Sequence, residues 1–223
     1  MIGAVAFVCN ICGARNNTTN FATEPASCAC GSNVRVRALI HLLSVELFGH
    51  SIVLADFPVM KSIRGLGMTD KACYADVLAS KFDYKNTHYD REPRLDFTEH
   101  HPELIQSVRL YPFGGCDRAC RRAVERTLEE PFSLLNARGI LGMTIYCNPV
   151  DSMREHFPEL NVYKVVQLGE KPVLINRRHD GGLEVTDDLI FHGGSGATLE
   201  MREFGITGLQ SKLRKTGSGS LRS

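Results

Sequence analysis

Four of the eight cysteines fall close together, as Cys9-x2-Cys12, an interval of fifteen residues, then Cys28-x-Cys30. Thiolates hold zinc tetrahedrally, and a Cys-x2-Cys turn lets two sulfurs converge while backbone amides face them. A glycine follows each pair, Gly13 and Gly31, as suits a knuckle bend that needs positive φ. The intervening ARNNTTNFATEPAS is polar and lacks a helical period, so burial of apolar surface cannot order it and a metal clip can. Cys9, Cys12, Cys28 and Cys30 are therefore expected to form one structural zinc site, although Cys-x-Cys is a less usual zinc spacing. Cys73, Cys116, Cys120 and Cys147 are scattered, and are expected to be buried or idle thiols.

Histidines and glycines supply the weaker candidates. His100 and His101 could act as a base, but a polar turn before Pro102 favours a solvent-exposed pair. In HGGSGAT (192–198), His192 sits beside Gly193, Gly194 and Gly196, which would let backbone approach a ligand or merely turn the chain.

The rest of the chain bounds what these residues can serve. At 223 residues it can bury one full core with a small appendage, or two small domains. With 26 basic and 25 acidic side chains it lacks a whole-molecule field for nucleic acid or an anionic membrane. No apolar run reaches the ~18–20 residues that span a bilayer. MIGAVAFV carries no basic n-region and runs straight into the cysteine pair, so no signal peptide is expected. The expectation is a cytoplasmic protein with reduced thiols.

The elements that must position the site are legible in part. Ser32 or Asn33 can cap a helix through about Phe48, with Val36, Leu39, Ile40, Leu43 and Leu47 on one face and Gly49 closing it. SIVLADF (51–57) reads as a buried strand, 59–67 as a turn, 70–81 as a short helix and FDYKNTHY (82–89) as a strand. RLDFT (94–98) reads as extended, whereas 106–122 has no clean period. A helix at about 119–136 should kink or break at Pro131, and ILGMTIYC (140–147) should be a strand. Asp151 can cap a short helix to His156. YKVVQL and PVLIN form a hairpin, His179–Gly182 turns into LEV, and a last helix from about Ile206 points Leu209 and Leu213 inward. EHHPEL (99–104) and EHFPEL (155–160) nearly repeat, and are read as similar turns.

Strand, helix, strand, helix, strand across 51–147 argues a largely parallel, doubly wound α/β sheet, with antiparallel C-terminal hairpins. The expected organisation is a zinc-ribbon-like knuckle at 1–32, an α/β domain at 33–217 and a disordered tail at 218–223.

Several strings together resemble a group of bacterial S-adenosylmethionine-dependent methyltransferases, which place a four-cysteine knuckle and a helix ahead of a Rossmann-like fold. They are CNICG and CACGSNVRVRAL; GLGMTD with FDYKNTHYDREPRLDFT; VERTLEEPFSLLNARGILGMTIYC; and EHFPELNVYKVVQLGEKPVLINRRHDGGLEVTDDLIFHGGSGATLEMREF. The resemblance covers about residues 7–217 apart from 105–122. It departs from the family's pattern there, in its single Gly-x-Gly, in the shortened Cys28-Ala29-Cys30, and in ending before the family's last hairpin.

The resemblance implies S-adenosylmethionine as cofactor beside the structural zinc, and a small-molecule or sugar methyl acceptor. It makes SIVLADF similar to the first strand, with Asp56, Gly65 and Gly67 near the methionine and ribose. It implies that Asp90 or Glu92 holds the ribose hydroxyls, since two adjacent hydroxyls can both donate to one carboxylate. Asp96 would lie against the adenine, and is the strongest single candidate. The alternatives are a degenerate, inactive methyltransferase-like protein and a zinc-dependent module that docks a partner.

Overall fold

The structure is a computed structural model that describes residues 4–19, 22, 25–88, 91–96, 101–113, 124–145, 147–148, 154–192 and 198–216. Strands β1 (Val5–Val8) and β2 (Arg15–Thr18) form an antiparallel hairpin around the first cysteine pair. Helix α1 spans Val34–Phe48. Of the two possible caps Asn33 is the one used, its side chain accepting from the Val36 amide at 2.9 Å. Val36, Leu39, Ile40 and Leu43 are buried, as the period requires, and Gly49 ends the helix in the left-handed region.

The first departure follows at once. SIVLADF is not a strand: Leu54–Asp56 is a single 3-10 turn whose Leu54 amide donates to the Asn10 carbonyl at 2.8 Å. Leu54 and Phe57 are buried, so the run is apolar because it fills the core as a turn. The strand lies one segment later, as β3 (Met60–Met68), within the stretch expected to be a turn. Helix α2 (Ala72–Lys81) and strand β4 (Phe82–Thr87) follow as expected.

A second strand, β5 (Val108–Phe113), emerges from the segment without a legible period. Arg109 and Pro112 hide it, since neither belongs in a typical central strand. Its ladder to β3 is registered at Gly65↔Leu110 alone, and Pro112 lacks the amide that would extend such a ladder. Helix α3 (Val124–Leu134) runs through Pro131 and ends one turn later rather than breaking at it. Strand β6 (Leu135–Met143) begins five residues before the expected position, pairing with β5 from Val108↔Leu135 to Phe113↔Met143.

The four strands β4-β3-β5-β6 form one sheet in which every pairing is parallel. From β3 the chain winds outward to β4, then crosses back to place β5 on the other side of β3. Such a reversal leaves a crevice outside the carboxyl ends of the two strands, the usual place for a ligand in an open α/β sheet. Gly65, Leu66 and Gly67 are buried in succession, so both faces of β3 are covered there. The core that covers them joins Leu39, Ile40, Tyr74, Leu78, Phe82 and Leu110 with Cys9, Ile11 and Cys28 of the knuckle. The expected boundary after residue 32 thus falls inside one shared core.

The chain divides into two compact units, one of Met1–Cys116 with Arg126–Thr144, the other of Asp117–Glu125 with Ile145–Ser223. In the second unit β9 (Val162–Leu168), β10 (Lys171–Arg177) and β11 (Leu183–Thr186) form an antiparallel meander, beginning with the expected hairpin. Strands β7 (Cys147–Asn148) and β8 (Arg154–Glu155) flank β14 (Arg202–Gly205), and β12 (Phe191–His192) pairs with β13 (Thr198–Leu199). Of the helix expected from Asp151 to His156, Asp151 lies outside the described residues, and Arg154–Glu155 is instead the extended β8, held to β14 by the cross-strand pair Arg202–Glu155 at 3.2 Å. Helix α4 (Ile206–Thr216) buries Leu209 and Leu213. The two near-repeats share one local turn, Leu104 to His101 at 3.0 Å and Leu160 to Phe157 at 3.1 Å. Residues 217–223, with the expected tail, lie outside the described residues.

Candidate functional site

Around the first cysteine pair the backbone does most of the positioning. The Cys9 amide donates to the Ala14 carbonyl at 2.9 Å, and the Gly13 amide returns to the Cys9 carbonyl at 2.8 Å. At the second pair the Gly31 amide closes on the Cys28 carbonyl at 2.9 Å. Gly13 and Gly31 have φ of 79° and 85°, the positive values their positions predicted.

The four sulfurs then converge. Cys9 Sγ lies 3.8 Å from Cys30 Sγ, Cys12 Sγ lies 3.6 Å from Cys28 Sγ, and all four are within 4.8 Å of one another. A tetrahedron with metal–sulfur bonds of about 2.3 Å has edges of about 3.8 Å, so the spacing suits an ion such as zinc. It is far beyond the ~2.05 Å of a disulfide, and all four thiols are free. The shortened Cys28-Ala29-Cys30 does not prevent closure.

Ser32 supplies the outer layer. Wholly buried, its hydroxyl lies 3.2 Å from Cys9 Sγ and 3.3 Å from Cys30 Sγ. Arg37, one turn into α1, holds this serine through its carbonyl at 3.2 Å and its hydroxyl at 3.3 Å, and stacks over Phe7 at 4.4 Å. Burial raises the Cys9 thiol, but the Ser32 hydroxyl and the amides of Cys12 and Ile11 outweigh it and bring the pKa down to about 6. Cys12 moves the other way, to about 12, pushed up by burial and by the neighbouring cysteines. Crowded sulfurs that cannot all ionise unaided are the donor set a divalent cation relieves.

A second assembly occupies the carboxyl ends of the parallel strands. Gly65 and Gly67 lie in the buried half of β3, and both are required by close approach. A Cβ at Gly65 would come within 2.8 Å of the Tyr84 ring, and one at Gly67 would collide with the Tyr84 hydroxyl and the Asp70 carboxylate. Asp70, just past β3, is buried and accepts a short hydrogen bond from Tyr84. Its backbone is clamped by Asn86, whose side chain accepts from the Asp70 amide and donates to its carbonyl, each at 2.9 Å. Thr87 adds a bond to the Gly67 carbonyl at 2.6 Å.

The buried hydroxyls of Tyr74, Tyr84 and Tyr111 all feel this acid. Burial first, and the Asp70 carboxylate second, raises each above the ordinary phenol range. Sequence reasoning missed Asp70 and its three tyrosines. The available signal was Gly65-Leu66-Gly67-Met68-Thr69-Asp70, which becomes informative once β3 is recognised as a strand.

The other expected residues scatter. Asp56 is exposed on the 3-10 turn that precedes the amino end of β3, so it does not join Gly65 and Gly67 at the carboxyl end. Asp90 lies outside the described residues, as do His100 and Gly193, Gly194 and Gly196; Glu92 is exposed. Asp96 is buried, 3.0 Å from Arg94, with its carbonyl 2.9 Å from His101 Nε2. It follows a segment that folds back on β4, where the Leu95 amide donates to His88 at 2.9 Å. Among the described residues, the buried His88 Nδ1 has no hydrogen-bond partner.

No helix of the described residues is long and apolar enough to cross a membrane. Comparison with known proteins finds no matching family, curated protein or solved structure.

Proposed function

We propose that the chain is an S-adenosylmethionine-dependent methyltransferase of Rossmann-like, doubly wound fold, with a structural zinc in its cysteine knuckle and a small-molecule or sugar acceptor. The observation that carries this reading is the reversal of strand order at β3 and β5, with the buried Gly65-Leu66-Gly67 in the carboxyl half of β3 and the buried acid Asp70 just past its end. In an open α/β sheet the point where the strand order reverses is where a ligand is favoured.

The donor set suits the cofactor. Asp70 and Asp96 are carboxylate acceptors for an ammonium or for hydroxyls, and His88 Nδ1 is a buried polar atom still short of a partner. When bound, the cofactor supplies an electrophilic methyl group. The protein's part in a direct displacement is to orient the reactants and exclude water.

One observation favours an inactive, methyltransferase-like protein instead. Tyr84 and Asp70 already occupy the space over Gly67. Calorimetry of the zinc-loaded protein with S-adenosylmethionine and S-adenosylhomocysteine decides whether either is bound, and no heat at millimolar ligand sinks the cofactor reading. If ligand binds, Asp96→Asn should weaken it by about tenfold, the loss of one charge-assisted hydrogen bond. Single-turnover transfer to an acceptor panel then separates an active enzyme from an inactive one.

A further inference from the structure

The second unit holds a donor cluster that the reading above does not use. His156 follows β8, and Glu200 and Glu203 bracket the start of β14. Their ligand atoms, one imidazole nitrogen and two carboxylate oxygens, all lie within 4.8 Å of one another. His156 Nε2 is 2.9 Å from Glu200 Oε1, with side-chain exposures of only 12% and 7%. The backbone holds the group in register: the His156 amide donates to the Met201 carbonyl at 2.9 Å, and Glu203 faces Arg154 across the β8–β14 pair. The nearby Arg202 is engaged by Glu155 at 3.2 Å, on the adjoining rung of the same ladder.

We infer that His156, Glu200 and Glu203 form a second metal site, which takes a divalent transition-metal ion through one nitrogen and two oxygens. Two carboxylates and a neutral imidazole carry the charge that balances a divalent cation. Nitrogen with carboxylate oxygen is a donor set for zinc, manganese or ferrous iron, distinct from the all-sulfur knuckle. Three protein ligands leave at least one coordination position for water or a small anionic ligand. Bound there, the ion ties β8 to β14 beside the existing His156–Glu200 contact. No local spacing announces the cluster, because His156 and Glu200 are 44 residues apart.

The test uses the full chain with its knuckle already loaded with zinc. Added Zn2+ is counted by elemental analysis after gel filtration, and added Mn2+ by the electron paramagnetic resonance of the free ion, since manganese discriminates against thiolates. A second equivalent of at least one ion is expected. Glu203→Gln and His156→Ala should each weaken it by at least about tenfold, the cost of disturbing even an outer-shell partner. Metal should also raise the melting temperature of the wild type and not of Glu203→Gln, a substitution that keeps side-chain volume. Uptake that stops at one zinc per chain, with no second equivalent of either ion, overturns the inference. So does a second equivalent bound equally well by folded Glu203→Gln, which would place that ion elsewhere.

Discussion

The cysteine knuckle and the Asp70 cluster both gather polar groups against the core, and they do it by opposite means. In the knuckle the ligands come as two local pairs, each shaped by its own turn, and the sulfurs meet because those turns are short. At the strand ends Asp70, Tyr74, Tyr84 and Tyr111 come from β3's end, α2, β4 and β5, and only the parallel sheet assembles them. The first region is an assembly of local geometry whose four converging sulfurs suit a metal ion. The second is an assembly of topology, which packing and hydrogen bonds must complete. The knuckle should therefore depend on one ion, and the cluster on the fit of each member.

The largest effect should come from the metal ligands. Cys9 and Cys28 lie in the same core as Leu39, Ile40 and Leu78, so losing the ion exposes more than a loop. Cys9→Ser should cost about 4 kcal/mol or more, the range that metal loss occupies among point substitutions. Denaturant unfolding at saturating zinc would measure it, and a strong chelator should bring the wild type down toward the variant. A chelator-insensitive wild type would erase the contrast between the two regions.

Next comes Gly67→Ala, which places a methyl group against the Tyr84 hydroxyl and the Asp70 carboxylate. Overpacking of this kind costs about 1–3 kcal/mol. Adding Tyr84→Phe removes the atom that collides first, so the double variant should be less destabilised than the sum of the two single changes. Strict additivity would show that the close approach at β3 is not what requires glycine.

The same division explains what the sequence made legible. Cys9, Cys12, Gly13 and Gly31, the Asn33 cap and the apolar face of α1 are features of neighbours along the chain, and they emerge where expected. So do the hairpin of β9 and β10 and the inward Leu209 and Leu213. Strand β3 was hidden because MKSIRGLGM lacks β-branched density, its glycines being demanded by Tyr84 rather than by a turn. SIVLADF was the false strand, because an apolar run records burial and not conformation. Strand β5 was masked by Arg109 and Pro112. Reading SIVLADF as the first strand puts the acid at its end at Asp56, whereas the acid just past β3 is Asp70.

Alkaline titration separates the regions more finely. Tyr74, Tyr84 and Tyr111 have their pKa values raised in the folded protein, so their contribution is complete below the unfolded phenol value of about 10 and is lost as pH rises toward the folded values. Stability should fall above about pH 10, and ultraviolet difference spectra should show these three phenols ionising only within the unfolding transition. Free titration of all six tyrosines near pH 10 in folded protein would contradict their burial around Asp70.

The smallest effect expected is also the most specific to the knuckle. Ser32→Ala deletes the hydroxyl that bridges Cys9 and Cys30 without touching a ligand. Cys9 has a folded pKa lowered to about 6, so in the metal-free fold its stabilisation is present above the unfolded thiol value and is lost as pH falls through 6. Without Ser32 that pKa should rise, because burial then meets less opposition, and zinc should be released at a higher pH. Affinity at neutral pH should drop by about tenfold, the usual cost of an outer-shell partner. A zinc-competition titration with a chromophoric chelator across pH 5–8 reads both quantities. An unchanged release midpoint would leave the knuckle dependent on its four sulfurs alone, making the contrast with the many-membered Asp70 cluster sharper than the hydrogen bonds of Ser32 imply.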